Sequence, residues 1–349
     1  MQTSPQEISA TSSGATGPAP AGAQAGPLMR AIINPRYGAP ELLRLREIAR
    51  PVVNDAGVLV RVHAAALHVG DCFGVRGAPF AMRLVSGLFT PKYGVPGFDL
   101  AGRVEAVGDK VKGFRPGDEV FGASQGTCAE YVSAGQDRLA LKPSNLSFEE
   151  AAALPTSALA ALHALRDTAK VQPGQRVLIN GASGGVGTFA VQIAKWLGAE
   201  VTGVCSSRNV ALVRSIGADH VIDYNQEDFT LGGPRYDLVL DNVENRSLAD
   251  CRRVLTPTGT LIVNSGTGAQ GMAMLVRLLK PLLLSPFSRQ HLRRYLSQPN
   301  HADLVVLKQL AESGKLTPVI EQRYPLSETP AALVHIESGH ARGKVVITM

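Results

Sequence analysis

A short stretch of small residues near the middle of the chain most constrains its fold. Residues 180–187 read Asn-Gly-Ala-Ser-Gly-Gly-Val-Gly; they follow the apolar run Arg176–Asn180 and open the helical pattern over 185–197. Between a strand and a helix, such a stretch is typical of a dinucleotide-binding βαβ unit. The first turn of such a helix offers free N–H groups and the positive end of its dipole to phosphates. The chain is therefore predicted to bind a nucleotide cofactor.

The glycine spacing also indicates which residues would contact the phosphates. It reads Ala182-x-Gly184-x-x-Gly187, so a small alanine replaces the usual first glycine. Gly184 lets the backbone approach a pyrophosphate, and Gly187 lets helix and strand pack closely. We expect the loop and the first helical turn to bind the cofactor through Ala182, Ser183, Gly184, Gly185, Val186 and Gly187.

The residues after the second predicted strand indicate which cofactor is used. That strand ends near Cys205, and Ser206, Ser207 and Arg208 follow. An NAD site usually has an acid here, which accepts a hydrogen bond from the ribose 2′-hydroxyl. Hydroxyls and a guanidinium suit a 2′-phosphate instead, so NADPH is expected, with Ser206 and Arg208 at that phosphate. The alternative is that Arg208 only begins the next helix at the surface.

The residue pattern differs on the two sides of residue 147. From 28 to about 140, short alternating segments such as 58–66 are separated by frequent Gly and Pro, which favours a small antiparallel β-rich domain. Beyond 176, strand-like segments alternate with helix-like ones, which is typical of a doubly wound parallel sheet; the predicted strands span 176–180, 200–205, 220–223, 236–241 and 260–263. The predicted fold class is therefore α/β, with a β-rich domain and a Rossmann domain.

Two further local patterns carry predictions. Ser147 and Glu150 fit a capping box at the start of an Ala-rich helix that Pro155 interrupts. In the last fifty residues we expect one helix, over about 302–313, and two strands, of which the second spans 344–348.

Composition narrows the class of protein. The 349 residues correspond to roughly two domains. With 45% apolar and 18% charged residues, the chain is neither disordered nor fibrous. The net charge of +6 is too small for a dedicated nucleic-acid binder, so no nucleic-acid partner is expected.

Cysteine usage and the apolar segments bear on location. The four cysteines have no disulfide-framework or zinc spacing, which indicates a reducing compartment, and we expect the cytoplasm. Residues 1–27 lack the features of a targeting signal and are predicted to be a disordered tail. The apolar stretch 272–284 is interrupted by Arg277 and Lys280 and is too short to span a bilayer. It packs either at a subunit interface or over an active-site cleft, or it lies on a membrane surface.

Longer motifs resemble a known family. Residues 177–224, VLINGASGGVGTFAVQIAKWLGAEVTGVCSSRNVALVRSIGADHVIDY, closely resemble the cofactor half of zinc-independent medium-chain dehydrogenase/reductases, in the quinone oxidoreductase branch. GVPGFDLAGRVEAVGDKVKGFRPGDEVFG upstream and GKLTPVIEQRYPLSETPAALVHIESGHARGKVVI near the end also match. The resemblance implies a GroES-like catalytic domain over 28–146, completed by 300–349, and a Rossmann NADP-binding domain over 147–299. The active site would lie in the cleft between them.

The resemblance also bears on zinc. Zinc-dependent relatives carry Gly-His-Glu where this chain has Gly97-Phe98-Asp99, and a second cysteine within a segment that here reads LPTSALA. Cys72 lies near the first ligand position, without partners there. Because a catalytic zinc needs three protein ligands, no metal is expected. Without that Lewis acid, reduction of quinones or activated double bonds is favoured.

Candidate catalytic residues follow from the same resemblance. Residues 68–77 resemble the family's N-P-x-D-x-Y loop, with His68 in place of Asn and Phe73 in place of Tyr. His68 is a candidate donor of a proton or hydrogen bond to the reduced product. Alternatively, it only caps the loop or binds backbone. Asp71, the other candidate, is expected chiefly to hold the loop together.

Further cofactor contacts are also implied. Tyr224 matches a position beside the adenine ribose phosphate, although simple packing is an equal alternative. Asn242 and Ser265 follow later Rossmann strands, whose ends face the cofactor by the switch-point rule. Arg342, Gly343 and Lys344 match a segment that returns into the cleft. Their cations either meet the phosphates or sit on a solvated strand edge. Ala160 stands where the family usually has a Thr near the nicotinamide.

The expected function is a metal-free NADPH-dependent oxidoreductase that transfers hydride to a quinone or an enone-type double bond. One alternative is an enoyl thioester reductase. Another is an NADPH-binding protein with little catalysis that contacts RNA or a membrane surface, for which the mild basicity of the chain and the basic patch 289–294 are the only sequence support. No membrane span is expected, and a homodimer is possible because the family often dimerises through the edge of the cofactor sheet.

Overall fold

The computed structural model describes residues 27–80, 83–92, 94–264 and 289–349. The predictions for the tail up to residue 26, for Ser265 and for the apolar stretch 272–284 lie outside the described residues. No helix in the described ranges is both long and apolar enough to cross a membrane.

The N-terminal part is a mainly antiparallel β structure, as predicted. Its strands are β1 (Leu28–Ile33), β2 (Arg44–Ala49), β3 (Gly57–Leu67), β4 (Asp99–Val107), β5 (Glu119–Ala123), β6 (Tyr131–Gly135) and β7 (Leu139–Leu141). β3 pairs with β4 and β6, β4 pairs with β5, and β5 pairs with β7, all antiparallel. Since β3 has neighbours on both edges, nearly all of its residues are buried.

Helices cover and connect the sheets. They are α1 (Val69–Arg76), α2 (Arg83–Ser86), α3 (Phe148–Ala152), α4 (Pro155–Leu162), α5 (Gly185–Trp196), α6 (Val210–Ser215), α7 (Leu248–Arg253), α8 (His301–Glu312) and α9 (Thr329–Glu337). The predicted capping box is confirmed, because Ser147 accepts from the backbone of Glu150 and the Glu150 side chain accepts from the backbone of Ser147. A π-helical segment, His163–Thr168, continues α4.

The central part is the predicted doubly wound parallel sheet. Its strands are β8 (Arg176–Asn180), β9 (Glu200–Cys205), β10 (His220–Asp223), β11 (Tyr236–Asp241), β12 (Leu255–Val263) and β13 (His291–Arg293). Their order, β10-β9-β8-β11-β12-β13, is that of a dinucleotide-binding sheet, with the switch point between β8 and β11. β12 begins earlier than the sequence predicts, because a register shift against β11 accommodates its Pro- and Gly-containing start.

The C-terminal strands return to the first sheet. β15 (Lys344–Thr348) pairs antiparallel with β3 and parallel with β14 (Ile320–Pro325). The expectation of a single C-terminal helix was wrong, since α9 is a second one. Pro330 lies in the first turn of this helix, where proline is tolerated. The proposed domain limits at 146 and 299 stay predictions.

Small side chains join the two sheets in one apolar core. Ala64 and Ala101 of the β-rich sheet belong to the same buried cluster as Val177, Ile179 and Phe189 of the Rossmann part. Buried alanines and leucines of α3 and α4 belong to the same cluster. Alanine lets a helix approach a sheet closely, so the Ala-rich segment positions the cleft.

The four cysteines are free and buried. Burial raises the pKa of Cys205 to about 11 and that of Cys251 to about 12. The thiols therefore stay protonated and act as small apolar side chains at neutral pH.

A polar cluster ties the π-helical segment to the first turn of α8. Asp303 accepts from Arg166 Nη2 at 2.7 Å and lies 2.9 Å from His163 Nε2. Burial raises the pKa of Asp303, but hydrogen bonds from Asn300, His163 and Arg166 outweigh it and lower the pKa to about 2.

We expect Asp303→Asn to make the chain less sensitive to acid. A lowered carboxyl pKa contributes stability above the unfolded value of about 3.9, and this stability is lost as the pH falls towards about 2. The variant should melt at a lower temperature than the wild type at neutral pH, and the gap should shrink between about pH 5 and about pH 2. Melting curves followed by circular dichroism measure this, with the exposed Asp109→Asn as a control. A gap that stays constant across this range would contradict the assignment.

Candidate functional site

The loop between β8 and α5 has the geometry of a phosphate cradle. Gly181 has φ +78°, which turns the chain out of β8. A Cβ on Gly187 would lie 2.0 Å from the carbonyl oxygen of Gly181, so only glycine fits there. A Cβ on Gly184 would meet no atom closer than 3.5 Å, so its absence leaves open space in front of the loop.

The first turn of α5 keeps its amide donors available. Gly184 is the N-cap and supplies no capping side chain. The first bond from the helix runs from Thr188 N to Gly184 O at 3.0 Å, so the N–H groups of Gly185, Val186 and Gly187 have no acceptor within the helix. An open face lined by such donors fits the diphosphate of a dinucleotide.

The C-terminal segment lies against this loop. Gly343 N donates to Ser183 O at 2.9 Å, which brings the start of β15 onto the glycine loop. Gly343 has φ +75°, and a Cβ there would lie 2.3 Å from Val319 O. The side chain of Arg342 is exposed, and its backbone N–H donates to Glu321.

Lys344 lies behind the loop in a buried ion pair. Its side chain is 1% exposed and its Nζ lies 3.4 Å from Asp99 Oδ2, whose side chain is 0% exposed. Lys344 Nζ also donates to Ser157 Oγ at 3.1 Å, and Asp99 accepts from the backbone and hydroxyl of Thr156. The alternative that Lys344 sits on a solvated strand edge was wrong, because its side chain is buried. The two buried charges compensate each other and join β4, α4 and β15.

The predicted ribose end of the site lies at the end of β9. Arg208 is exposed and donates to the carbonyl of His340 at 2.9 Å. Ser206 lies next to the glycine loop because Asn209 bridges the two: its Nδ2 lies 3.0 Å from Ser183 Oγ and 3.2 Å from Ser206 Oγ. Sequence reasoning missed Asn209. Its place three residues after Ser206, at the start of α6, was the only available signal.

The fold also brings an acid to this end of the site. Asp223, the last residue of β10, lies opposite Cys205 in the parallel pairing of β10 with β9. A hydrogen bond from Ser207 lowers the pKa of Asp223, so its carboxylate is charged beside that hydroxyl. Sequence reasoning saw no acid after β9. The available signal was the Val-Ile-Asp-Tyr run at 221–224, but it could be used only once β10 was known to pair with β9, because the carboxyl ends of neighbouring parallel strands share an edge. Tyr224 follows at the same edge and is half exposed.

At the switch point, amide side chains form a hydrogen-bonded chain. Asn242 Nδ2 donates to Asn180 O at 3.2 Å, and Asn264 Nδ2 donates to Asn242 Oδ1 at 2.7 Å. The hydroxyl of Tyr295 lies 2.7 Å from both Asn264 Oδ1 and Ala160 O. Burial raises the pKa of Tyr295, so it stays protonated. Asn264 directly precedes the predicted Ser265 at the end of a Rossmann strand, whereas Tyr295 was not predicted as a site residue.

His68 and Asp71 begin a helix rather than a loop. The segment predicted as a loop forms α1, because a capping box stabilises its start. His68 Nδ1 accepts from Gly70 N at 2.9 Å, and Asp71 Oδ2 accepts from His68 N at 2.8 Å. A ring nitrogen that accepts carries no proton, so the neutral imidazole is protonated at Nε2. That atom is buried and has no hydrogen-bond partner among the described residues. Burial raises the pKa of Asp71.

An aromatic side chain occupies the position at which zinc-dependent relatives carry a ligand. Phe98, where zinc-dependent relatives have a histidine ligand, lies edge-on to the His68 ring with centroids 6.3 Å apart. Across the described ranges, no group of three or more His, Cys, Asp or Glu side chains is placed to hold a metal ion.

Comparisons with known proteins agree with this architecture. The profile of the family described as "Alcohol dehydrogenase GroES-like domain" matches residues 54–164, and that described as "Zinc-binding dehydrogenase" matches 216–347. The chain is 33% identical to human "NAD(P)H oxidoreductase RTN4IP1, mitochondrial", over 92% of this chain and 89% of that protein. It is 31% identical to the "NADPH-dependent alkenal/one oxidoreductase, chloroplastic" of Arabidopsis thaliana, over 91% and 79% of the two chains. The solved structure of the quinone oxidoreductase from Coxiella burnetii has a TM-score of 0.80 and 32% identity, over 93% and 100% of the chains.

Proposed function

Since the chain belongs to the quinone oxidoreductase branch of the medium-chain dehydrogenase/reductase family, we propose that it uses NADPH to reduce a quinone or an activated, enone-type double bond. The observation that carries the proposal is the open, donor-lined glycine loop at the carboxyl end of β8, beside the switch point. The names of relatives that act on alkenals, enones and quinones support the substrate class.

Residues of the glycine loop and residues that follow β9 would hold the cofactor at its diphosphate and at its 2′-phosphate. The N–H groups of Gly185, Val186 and Gly187 face the diphosphate in this proposal. Ser206 and Arg208 take the 2′-phosphate, and the ends of β11 and β12 face the nicotinamide. When bound, NADPH supplies the hydride.

Reduction leaves negative charge on an oxygen of the substrate, and a protein group has to meet that charge. We assign this role to Nε2–H of His68, because it makes no hydrogen bond in the described part of the chain and lies 3.6 Å from Asp71 Oδ2, beyond hydrogen-bond distance. Asp71 holds the backbone of His68, so it fixes where the ring lies without touching the substrate. Phe73 and Phe98 would keep water away from the reacting atoms.

The proposed reaction uses no zinc. Phe98 cannot ligate a metal, and the carboxylate of Asp99 is already paired with Lys344. Delocalisation in a hydroquinone or an enolate would stabilise the product anion in place of a Lewis acid.

A coupled assay tests the proposal. We expect the purified chain to oxidise NADPH in the presence of a small ortho-quinone or an enone, at an unchanged rate in excess EDTA, and to use NADH poorly. Equal rates with the two cofactors would overturn the 2′-phosphate assignment alone. A rate lost in EDTA would overturn the zinc-free mechanism. No turnover on a panel that also contains enoyl thioesters would overturn the proposed activity.

Substitutions at His68 separate its two roles. His68→Asn keeps a side chain that caps helices well but removes the imidazole, whereas His68→Ala removes both. We expect both variants to lose about 10²-fold in kcat with little change in the Kd of NADPH, as is typical for the loss of a general acid. Steady-state kinetics and cofactor titration measure this. An asparagine variant with the wild-type rate would reduce His68 to a helix cap.

Location and assembly stay predictions. The names of the relatives reported above place them in mitochondria and chloroplasts, whereas a cytoplasmic location was expected for this chain. A homodimer through β13, at one edge of the parallel sheet, is compatible with the strand order. Sedimentation of the purified chain would measure its assembly.

A further inference from the structure

We infer that Asn209 selects NADPH over NADH by setting the direction of two serine hydroxyls. Asn209 is a positioning residue in this account, because it acts through Ser183 and Ser206 and does not itself touch the phosphate. The inference rests on the proposed function, since it concerns the 2′-phosphate end of the same site.

The contacts of Asn209 define these directions. Its side chain is buried, with 5% of the residue exposed. Its Nδ2 donates to Ser183 Oγ at 3.0 Å and to Ser206 Oγ at 3.2 Å. Both amide protons are thereby used, one on the glycine loop and one on the residue that follows β9.

A serine oxygen that accepts from Asn209 keeps its own proton for another partner. Among the described residues, no acceptor contacts the hydroxyl proton of Ser183 or Ser206. Both hydroxyls therefore serve as donors at the end of the site where the second ribose lies. A 2′-phosphate has only acceptor oxygens when fully ionised, so two fixed donors suit it better than they suit a ribose hydroxyl.

The remaining oxygen of Asn209 supports this orientation of the amide. Asn209 Oδ1 is buried and has no hydrogen-bond partner in the described part of the chain. Rotating the amide by half a turn would let Oδ1 accept from both serines, but it would leave the two N–H donors buried without acceptors. A buried polar group without a hydrogen bond destabilises the folded state. The orientation with one unpaired oxygen therefore leaves fewer groups unsatisfied.

The neighbouring Ser207 cannot serve in the same way. Its hydroxyl donates to Asp223 and accepts from Asn225 Nδ2 at 3.1 Å. The carboxylate of Asp223 also brings a negative charge that opposes a phosphate. Preference for NADPH therefore depends on the donors that Asn209 orients and on the guanidinium of Arg208, which uses one N–H on His340.

Cofactor titrations of the full chain test the inference without any turnover. Asn209→Asp places a carboxylate that accepts from both serines, so it reverses their direction. We expect the Kd of NADPH to rise at least about tenfold, which corresponds to about 1.4 kcal/mol. The Kd of NADH should change much less, because NADH has no 2′-phosphate. Calorimetry with NADPH, NADH, 2′,5′-ADP and 5′-ADP measures the ratios directly.

Matched variants separate the effect of hydroxyl direction from the effect of the added charge and from a loss of folding. Asn225→Asp adds the same charge on a neighbouring side chain that does not contact Ser183 or Ser206. We expect it to change the ratio of the affinities for NADPH and NADH less than Asn209→Asp does. The neutral Asn209→Leu should also lower the ratio of NADPH affinity to NADH affinity. It should not do so in a Ser183→Ala/Ser206→Ala background, where Asn209 has no hydroxyl to orient. Thermal melts identify any variant that fails to fold.

The outcomes distinguish the two levels of the proposal. A wild type that prefers NADPH, with the ratio unchanged in both Asn209 variants, would overturn the role of Asn209 alone. Equal loss of NADPH and NADH affinity would also overturn it, because that result indicates a structural role. A wild type without preference would overturn the cofactor choice and the inference together. A chain that prefers NADPH in these titrations but reduces none of the substrates in the coupled assay would leave the inference standing and overturn the proposed activity.

Discussion

Lys344→Met is expected to lower the free energy of unfolding by about 3–5 kcal/mol, the usual effect of removing one partner from a buried ion pair. Asp99 would lose the cation that lies 3.4 Å from its carboxylate, in a site where its side chain is 0% exposed. Thr156 would still donate to Asp99, but two hydrogen bonds do not replace a full opposite charge. Urea unfolding followed by circular dichroism measures the loss.

A surface pair provides the control for this prediction. Lys110 Nζ lies 3.0 Å from Asp55 Oδ2, but the side chains are 72% and 68% exposed. Lys110→Met should therefore cost less than about 1 kcal/mol, because water screens exposed pairs. The double variant Asp99→Asn/Lys344→Met should recover part of the stability, since it removes the stranded charge. If Lys344→Met costs no more than Lys110→Met, the buried pair is not a stabilising link between β4, α4 and β15.

Gly187→Ala is expected to abolish detectable NADPH binding and to lower Tm. The new Cβ would lie 2.0 Å from the carbonyl oxygen of Gly181 and 2.8 Å from backbone atoms of Ala182, and neither backbone can move without opening the loop. Displacing α5 from β8 also disturbs the apolar contacts of Phe189 in the main core. Calorimetric titration with NADPH and thermal melts measure the two effects.

Gly184→Ala separates cofactor binding from folding in the same loop. Its Cβ would meet nothing closer than 3.5 Å, so Tm should stay near that of the wild type. The methyl group would occupy the space in front of the loop, and the affinity for NADPH should fall at least about tenfold. Gly113→Ala, where nothing lies within 4 Å, should change neither quantity. Full NADPH affinity in the Gly184 variant would show that the diphosphate does not approach this loop.

Much of the fold followed from local patterns in the sequence. The strands β8 to β11 were predicted almost to the residue, because each is a short apolar run bounded by turn residues. The helices α1 and α9 were missed. The resemblance to a family loop motif suggested irregular structure for the first, and only one helix was expected in the last fifty residues, which left out the second. In both places a capping or first-turn preference outweighed the expectation.

The candidate site was predictable only where it is built from consecutive residues. The glycine loop and Ser206–Arg208 could be named from the sequence, since their chemistry depends on neighbours in the chain. Asp223 could not be placed beside Ser207, because parallel pairing of β10 with β9 brings the two together. Asn264 and Tyr295 meet beyond the ends of β12 and β13 for a similar reason, since these two strands pair in parallel.

The sequence by itself determined the doubly wound sheet, the antiparallel β-rich part and the position of the phosphate loop. Periodicity, glycine spacing and turn residues act over a few neighbouring positions, so they can be interpreted without a fold. Only the tertiary structure decided what each polar side chain meets. Lys344 was expected at phosphates or on a strand edge, but it pairs with Asp99, 245 positions away. A contact over such a distance leaves no local pattern, because it depends on how β15 packs against β3 and α4.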